Sequence, residues 1–266
     1  MTIFEAVILG AVQGFTEFLP ISSSGHLILF PAILGWEAQS VVFDVAVHVA
    51  TLGAILVALW PRISAWIKEL RRGNKTAWRL AMYLVLATIP AGLLGIFGGD
   101  WLEGQRTLPM VGIMLIFWGI ILYIADVIAV KLSRTVVKDG QITLPFALAI
   151  GVAQALALFP GTSRSGASIS TAMLLGFDRK TAANFSFLLA IPAISGAGLV
   201  TALDISETGL DVPIISLVAG CLVAFITGIF AIRFLFAVIE KGGFRWFALY
   251  RVVLGVLVLS LFYASS

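Results

Sequence analysis

A chain of 266 residues that is 60% hydrophobic and only 12% charged is excluded from the ordinary soluble domains, which carry roughly 45–50% apolar and about 25% charged residues. Its net charge of +3 does not imply a nucleic-acid partner, because the basic residues lie in short connectors between apolar runs, where orientation in a membrane accounts for them. Cys221 is the only cysteine and sits in an apolar run, which excludes a disulfide, a cysteine-held cluster and a Cys-ligated zinc.

At about 20 apolar residues per crossing, the chain has room for roughly six to eight spans and no soluble domain of any size. The N-terminal stretch Met1–Glu5 has neither a basic region nor a small-residue cleavage site, so no removable signal peptide is expected. The first apolar piece, 3–34, is broken in its middle by Pro, Gly and Ser into halves too short to cross. Runs 43–60, 80–98 and 109–130 are each long enough to span. A second broken piece, 143–177, follows, and then three more spans at 184–203, 212–232 and 247–264. Broken pairs of this kind predict re-entrant hairpins, whose irregular backbone is tolerated at membrane depth only against protein or a wet cavity. The expected fold is an all-α polytopic membrane protein, one integral domain over 1–266.

The charges orient it. Arg62, Lys68, Arg71, Arg72, Lys75 and Arg79 fall in one connector and Lys131, Arg134 and Lys138 in another; Arg179, Lys180, Arg233, Lys241, Arg245 and Arg251 complete the same side. Arg106 alone is opposite, beside Asp100 and Glu103, and the other opposite connector holds only Asp204, Glu207 and Asp211. The positive-inside rule makes the first side cytoplasmic and turns both termini outward, to the periplasm of a bacterial inner membrane. Trp60, Trp78, Trp101 and Trp246 stand at span ends, as interfacial tryptophans do.

The two halves match. Setting Gln13 against Gln154 also aligns Gly10 with Gly151, Phe18 with Phe159, Ser22 with Ser163, Ser24 with Ser165 and Gly25 with Gly166; shifted by one residue, Phe43 falls over Phe185. Repeat one runs to about 138 and repeat two from about 143, each a broken hairpin plus three spans. Three is odd, so the second half must enter from the opposite face. This predicts an inverted-topology repeat that brings both hairpins together near the midplane.

The chemistry is concentrated in the hairpins. In Gln13–His26, Gln13 and Glu17 share a helix face, and Ser22, Ser23 and Ser24 lead into a helix whose free N–H groups form an anion site. Capping alone would explain the serines but not Glu17 and His26, since ionisable groups at membrane depth are expensive and functional by default. In Phe159–Ser168, Gly161 allows close backbone approach, Thr162, Ser163, Ser165 and Ser168 offer hydroxyls, and Arg164 presents a fork matched to phosphate oxygens. A salt bridge from Arg164 to Glu17 would not prevent that use. Nucleophile, base and oxyanion clamp together suit phosphoryl transfer, and the apolar walls suit a lipid-tailed substrate. His48 is divided evenly between lining the cavity and bonding across helices. Asp44 reads as interfacial, Asn184 and Ser186 as interhelical glue, and Asp126 as reaching interfacial water.

At these segments the sequence resembles the bacitracin-resistance family, the undecaprenyl-diphosphate phosphatases of bacterial inner membranes. Gln13 to Glu17 fits its acidic motif, followed by Ser22–His26; Pro160–Ser165 fits its Pro-Gly-X-Ser-Arg-Ser motif, with Ser168 where threonine is usual. Phe43–His48, Phe185–Pro192 and Phe247–Arg251 extend the likeness over nearly the whole chain. Gln13 leaves Glu17 as the only carboxylate of its motif, against any scheme needing two acids there. The resemblance implies hydrolysis of a long-chain polyprenyl diphosphate to the monophosphate carrier at a periplasm-facing site, recycling of the cell-wall lipid, and bacitracin resistance. It also implies a divalent cation, Mg²⁺ or Ca²⁺, for which Glu17 is the one plausible carboxylate ligand. On this reading Ser23 attacks with His26 or Glu17 taking its proton, or His26 attacks directly. Arg164 clamps the diphosphate, helped by Ser163, Ser165 and the backbone near Gly161. A homodimer is one assembly open to it.

Two other functions share parts of this pattern. The acid-phosphatase-like lipid phosphatases need a histidine after their Ser-Arg pair, and both histidines here precede residue 50. A polyprenyl-phosphate transporter on the same inverted-repeat scaffold would need the anion cradle but not the Glu17–Ser23–His26 group.

Overall fold

The computed structural model describes residues 1–131 and 142–265; Arg134 and Lys138 of the orienting charges lie outside them. The regular structure of the described residues is all helical, in the order α1 (Ile3–Phe18), α2 (Ser23–Leu34), α3 (Val41–Ala58), α4 (Trp60–Arg71), α5 (Lys75–Glu103), α6 (Leu108–Lys131), α7 (Leu144–Leu156), α8 (Arg164–Leu174), α9 (Arg179–Thr208), α10 (Ile214–Lys241) and α11 (Arg245–Ser265). Six of them, α3, α5, α6, α9, α10 and α11, are long and apolar enough to cross a membrane. They coincide with the six predicted spans.

The two broken segments fold as helix–turn–helix hairpins. With 16 residues in α1, 12 in α2, 13 in α7 and 11 in α8, none reaches the roughly 30 Å of a hydrocarbon core at about 1.5 Å per residue. Thr2 starts α1 with a reciprocal capping box to Glu5, which satisfies two otherwise orphaned N–H groups. Pro20 and the pair Pro160-Gly161 fall between the helices of each hairpin, where a missing N–H or a positive φ breaks no helical ladder.

Helix α1 lies against α10 and α7 against α5, while α6 pairs with α11 and α3 with α9. Where water does not drive helices together, close van der Waals approach does, and small residues permit it. A methyl group on Gly10 would run into the backbone of Gly220, and one on Gly151 into the backbone of Ala87. The two glycines matched in sequence therefore perform matched crossings. Around them Phe18, Phe177, Phe185 and Phe187 fill the largest buried cluster, and the rings of Phe18 and Phe187 meet edge-to-face at 5.5 Å.

One sequence reading, that of Asp126, needs correction, and the structure adds detail to two others. The basic connector after α3 is not a plain loop: Trp60–Arg71 forms α4, with proline in its first turn and Lys68 and Arg71 in its last, the placement favoured by N1 geometry and the helix dipole. Asp126 does not reach for water. It is buried and accepts two bonds from Arg179, at 2.6 and 2.9 Å. Asp44 is buried too, bonded by Arg106 at 2.5 Å and Gln39 at 2.8 Å.

Candidate active site

The site is built on the two hairpin turns. Ser22 (φ 77°) and Ser163 (φ 73°) are the only non-glycine residues with positive φ among the described residues. Such backbone costs on the order of 1–3 kcal/mol and persists where its surroundings demand it. Both serines sit at N-caps and compensate locally. Ser22 Oγ accepts from the Gly25 N–H at 3.3 Å and meets Ser24 Oγ at 3.3 Å. Ser163 Oγ accepts from the Gly166 N–H at 3.0 Å and meets Ser165 Oγ at 3.2 Å. Two short helices, α2 and α8, thus begin at the site, and a helix start is a place suited to an anion.

Glu17, at the end of α1, is the hub. Its carboxylate is buried, and four groups converge on it. Ser23 Oγ donates to Oε2 at 2.7 Å, Gln13 Nε2 donates to Oε2 at 3.2 Å, Arg164 Nη2 donates to Oε1 at 2.6 Å, and His48 Nε2 lies 3.4 Å from Oε2. Burying a carboxylate without such partners would be prohibitive. Arg164 is fixed at its other nitrogen, which donates to the Ser186 carbonyl at 3.0 Å. Ser168 Oγ bonds the Arg164 carbonyl at 2.7 Å and meets Ser186 Oγ at 2.6 Å. The guanidinium is therefore held in plane, with 15% of its side chain still accessible.

Of the residues singled out in sequence, Gln13, Glu17, Ser23 and Arg164 come into direct contact. His26 turns elsewhere: Nδ1 donates to the Ser22 carbonyl at 2.7 Å, and Nε2 lies 2.7 Å from the Tyr250 hydroxyl, with the two rings stacked. Gly161 (φ 90°) abuts the Val111 backbone so closely that no side chain fits. The Thr162 hydroxyl is buried without a hydrogen-bond partner, and Ser165 Oγ reaches across to the Leu19 carbonyl at 3.2 Å.

Sequence reasoning missed or under-weighted four contributors. His48 enters from α3, its Nδ1 donating to the Asp44 carbonyl at 2.6 Å. Ser186, read as glue, orients Arg164. Tyr250 touches His26. Arg251, assigned to the cytoplasmic charges, is instead fully buried, its guanidinium spread over carbonyls of both turns. Its position within the predicted span 247–264 was the available signal, since an arginine inside an apolar run should be functional.

Among the described residues no group of three His, Cys, Asp or Glu side chains is placed to hold a metal ion. Glu17 is the carboxylate at the site, and it meets Gln13 through the amide N–H, while Gln13 Oε1 is buried without a partner. Hard cations such as Mg²⁺ and Ca²⁺ take carboxylate and amide oxygens of these kinds, so the residue types present are compatible with such an ion.

A family model described as "Bacitracin resistance protein BacA" matches residues 6–257. The undecaprenyl-diphosphatase of Desulforudis audaxviator (strain MP104C) is 42% identical over 262 residues, covering 97% of this chain and 97% of that protein.

Proposed function

The chain belongs to the BacA bacitracin-resistance family, and on that premise we propose that it hydrolyses undecaprenyl diphosphate to undecaprenyl phosphate and inorganic phosphate. One observation carries the reading: the Ser23 hydroxyl lies 2.7 Å from a Glu17 carboxylate that also binds Arg164, at 2.6 Å, from the other hairpin. A nucleophile, its base and a phosphate-binding fork are thereby joined at one buried point.

In the resting site Glu17 and Arg164 satisfy each other. An incoming diphosphate offers the guanidinium better oxygens, so Arg164 turns its fork to the terminal phosphate and frees Glu17 to accept the Ser23 proton. Ser23 Oγ then bonds the terminal phosphorus while the bridging P–O bond breaks, and the lipid leaves as its monophosphate, whose freed oxygen takes the proton from Glu17 and restores the carboxylate. Water, deprotonated by Glu17, hydrolyses the phosphoserine and returns the serine. The N-termini of α2 and α8, with Ser22, Ser24, Ser163 and Ser165, surround the charge that develops on the phosphoryl oxygens. His26, bonded to Ser22 and Tyr250, supports the turn that carries Ser23. Mg²⁺ or Ca²⁺, for which Glu17 is the carboxylate ligand, would supply charge neutralisation to the diphosphate.

The charge distribution supports an inner-membrane protein with both termini periplasmic and its hairpins inserted from opposite faces. A site opening to the periplasm would recycle the carrier lipid after its release there and would compete with bacitracin for the diphosphate. The paired crossings of α1 with α10 and α7 with α5 also suit a lipid-phosphate carrier, the second reading. Phosphate release from a long-chain prenyl diphosphate in detergent, with and without chelator, tests the proposal in the wild type and in Ser23→Ala, His26→Ala and Arg164→Ala. Release abolished in Ser23→Ala and Arg164→Ala is expected. Near-normal release by Ser23→Ala removes it as nucleophile, and lipid translocation in liposomes without any phosphate release transfers the reading to the carrier.

A further inference from the structure

A hairpin turn at membrane depth leaves carbonyls that no helical N–H can reach, and apolar surroundings make each of them costly. Both turns of this site have that problem, and one side chain answers it for both. Arg251 of α11 donates from Nη1 to the Pro20 carbonyl at 3.1 Å, in the first turn. From Nη2 it donates to the Gly161 and Thr162 carbonyls at 2.9 and 2.7 Å, in the second. The same Nη2 lies 3.3 Å from the Met114 carbonyl, and Nε lies 3.4 Å from that of Leu115, both in α6. The side chain is completely buried, and no carboxylate among the described residues pairs with it.

A charge buried against carbonyl dipoles alone is an expensive arrangement, and packing α11 on α6 does not require it. Arginine is the one side chain with five N–H donors in a fixed plane and no acceptor, which is what two facing turns with orphaned carbonyls demand. The reacting groups are short distances away along the chain: Pro20 is three residues from Glu17 and three from Ser23, and Thr162 is two from Arg164. Beneath α8, Nη1 would lie 2.7 Å from a methyl group placed on Gly166, so glycine there leaves room for the guanidinium.

We infer that Arg251 is a positioning residue for the phosphoryl transfer, tying the Pro20 and Gly161-Thr162 turns together so that Ser23 and Arg164 meet at Glu17. It touches no reacting atom. It acts by setting the gap between the two halves of the site, and a misplacement of about 1 Å there is enough to lower turnover roughly 10²-fold. The inference rests on the phosphatase reading above.

Steady-state hydrolysis of a long-chain prenyl diphosphate by purified wild type, Arg251→Lys and Arg251→Gln tests it, with monodispersity and thermal unfolding measured on the same samples. The expected result is a folded Arg251→Lys whose kcat falls about 10²-fold while KM stays within about threefold, and a deeper kcat loss in Arg251→Gln. Unchanged kcat in folded variants overturns the inference. So does a raised KM with kcat preserved, which would make the residue a binding charge. Should neither variant fold, Gly166→Ala decides, because it crowds the guanidinium without removing it, and Ser163→Gly controls for its lesser crowding of the Ser163 cap: kcat lowered at constant KM beyond the loss in Ser163→Gly supports the tie, and any smaller loss overturns it. A wild type that releases no phosphate would instead sink the phosphatase reading, whatever the variants do.

Discussion

The two hairpin turns share a backbone and differ in one side chain that matters most. Each has a serine at positive φ, a hydroxyl cap on the glycine three residues on, and a second serine bonded to the first. Directly after the capping serine, one turn carries Ser23 and the other Arg164. Both reach the same carboxylate, the serine to Oε2 and the arginine to Oε1. Two turns of the same geometry thus supply two equivalent positions around Glu17, and the proposed function makes the residue at one the nucleophile and the residue at the other the clamp. The shared features are those that hold the turn; the differing ones are those to which the proposed function gives the work on phosphate.

That division can be attacked experimentally. The largest effect should come from Ser23→Ala, which removes the attacking oxygen while leaving the Ser22 cap untouched; kcat for phosphate release should fall by about 10⁴-fold or more, with thermal stability little changed. Arg164→Lys keeps a charge but loses the fork that spans Glu17 and the Ser186 carbonyl, and about 10²–10³-fold in kcat should go with it. Rates close to wild type in that variant would mean the clamp is only a point charge. Next come the matched crossings. Gly10→Val and Gly151→Val each force a side chain into facing backbone and should cost about 1–3 kcal/mol apiece, read as lowered unfolding temperature in detergent. A large cost at one glycine and none at the other would argue against equivalent hairpins. The smallest effects test the caps themselves: Ser22→Ala and Ser163→Ala should each destabilise by about 1 kcal/mol, whereas Ser22→Gly and Ser163→Gly should cost a few tenths, since glycine adopts positive φ freely. Equal stability losses with unequal losses of activity would sharpen the contrast between a common scaffold and separate chemistries.

Much of the site was legible because membrane burial makes polar residues conspicuous. Glu17 and Arg164 stood out as ionisable groups in apolar sequence, and Pro, Gly and Ser marked both turns. Arg251 carried the same signal and was assigned to the basic connector next to it, because charge counting groups residues by chain position and a buried arginine six residues into a helix falls near that boundary. His48 and Ser186 were ambiguous for a different reason. A histidine or serine near a helix start bonds a backbone carbonyl as readily as a distant side chain, and nothing local decides between them. The short helix α4 was hidden by its own charges, which read as connector until its apolar side is seen packing Ile63 into the core.

Hydropathy, proline and glycine placement and the internal match of Gly10 with Gly151 were sufficient by themselves to determine the helical class, the six spans and the two broken hairpins, since each follows from local backbone preferences and the length of an apolar run. Only the tertiary structure decided which groups meet. Glu17 and Arg164 are 147 residues apart in sequence, and their contact depends on how α1 and α8 are set against α3, α6 and α9. The turn of His26 toward Tyr250, and the single guanidinium shared by both turns, depend likewise on where α11 packs. These are consequences of helix packing, in which many weak contacts jointly fix a geometry that no stretch of sequence encodes alone.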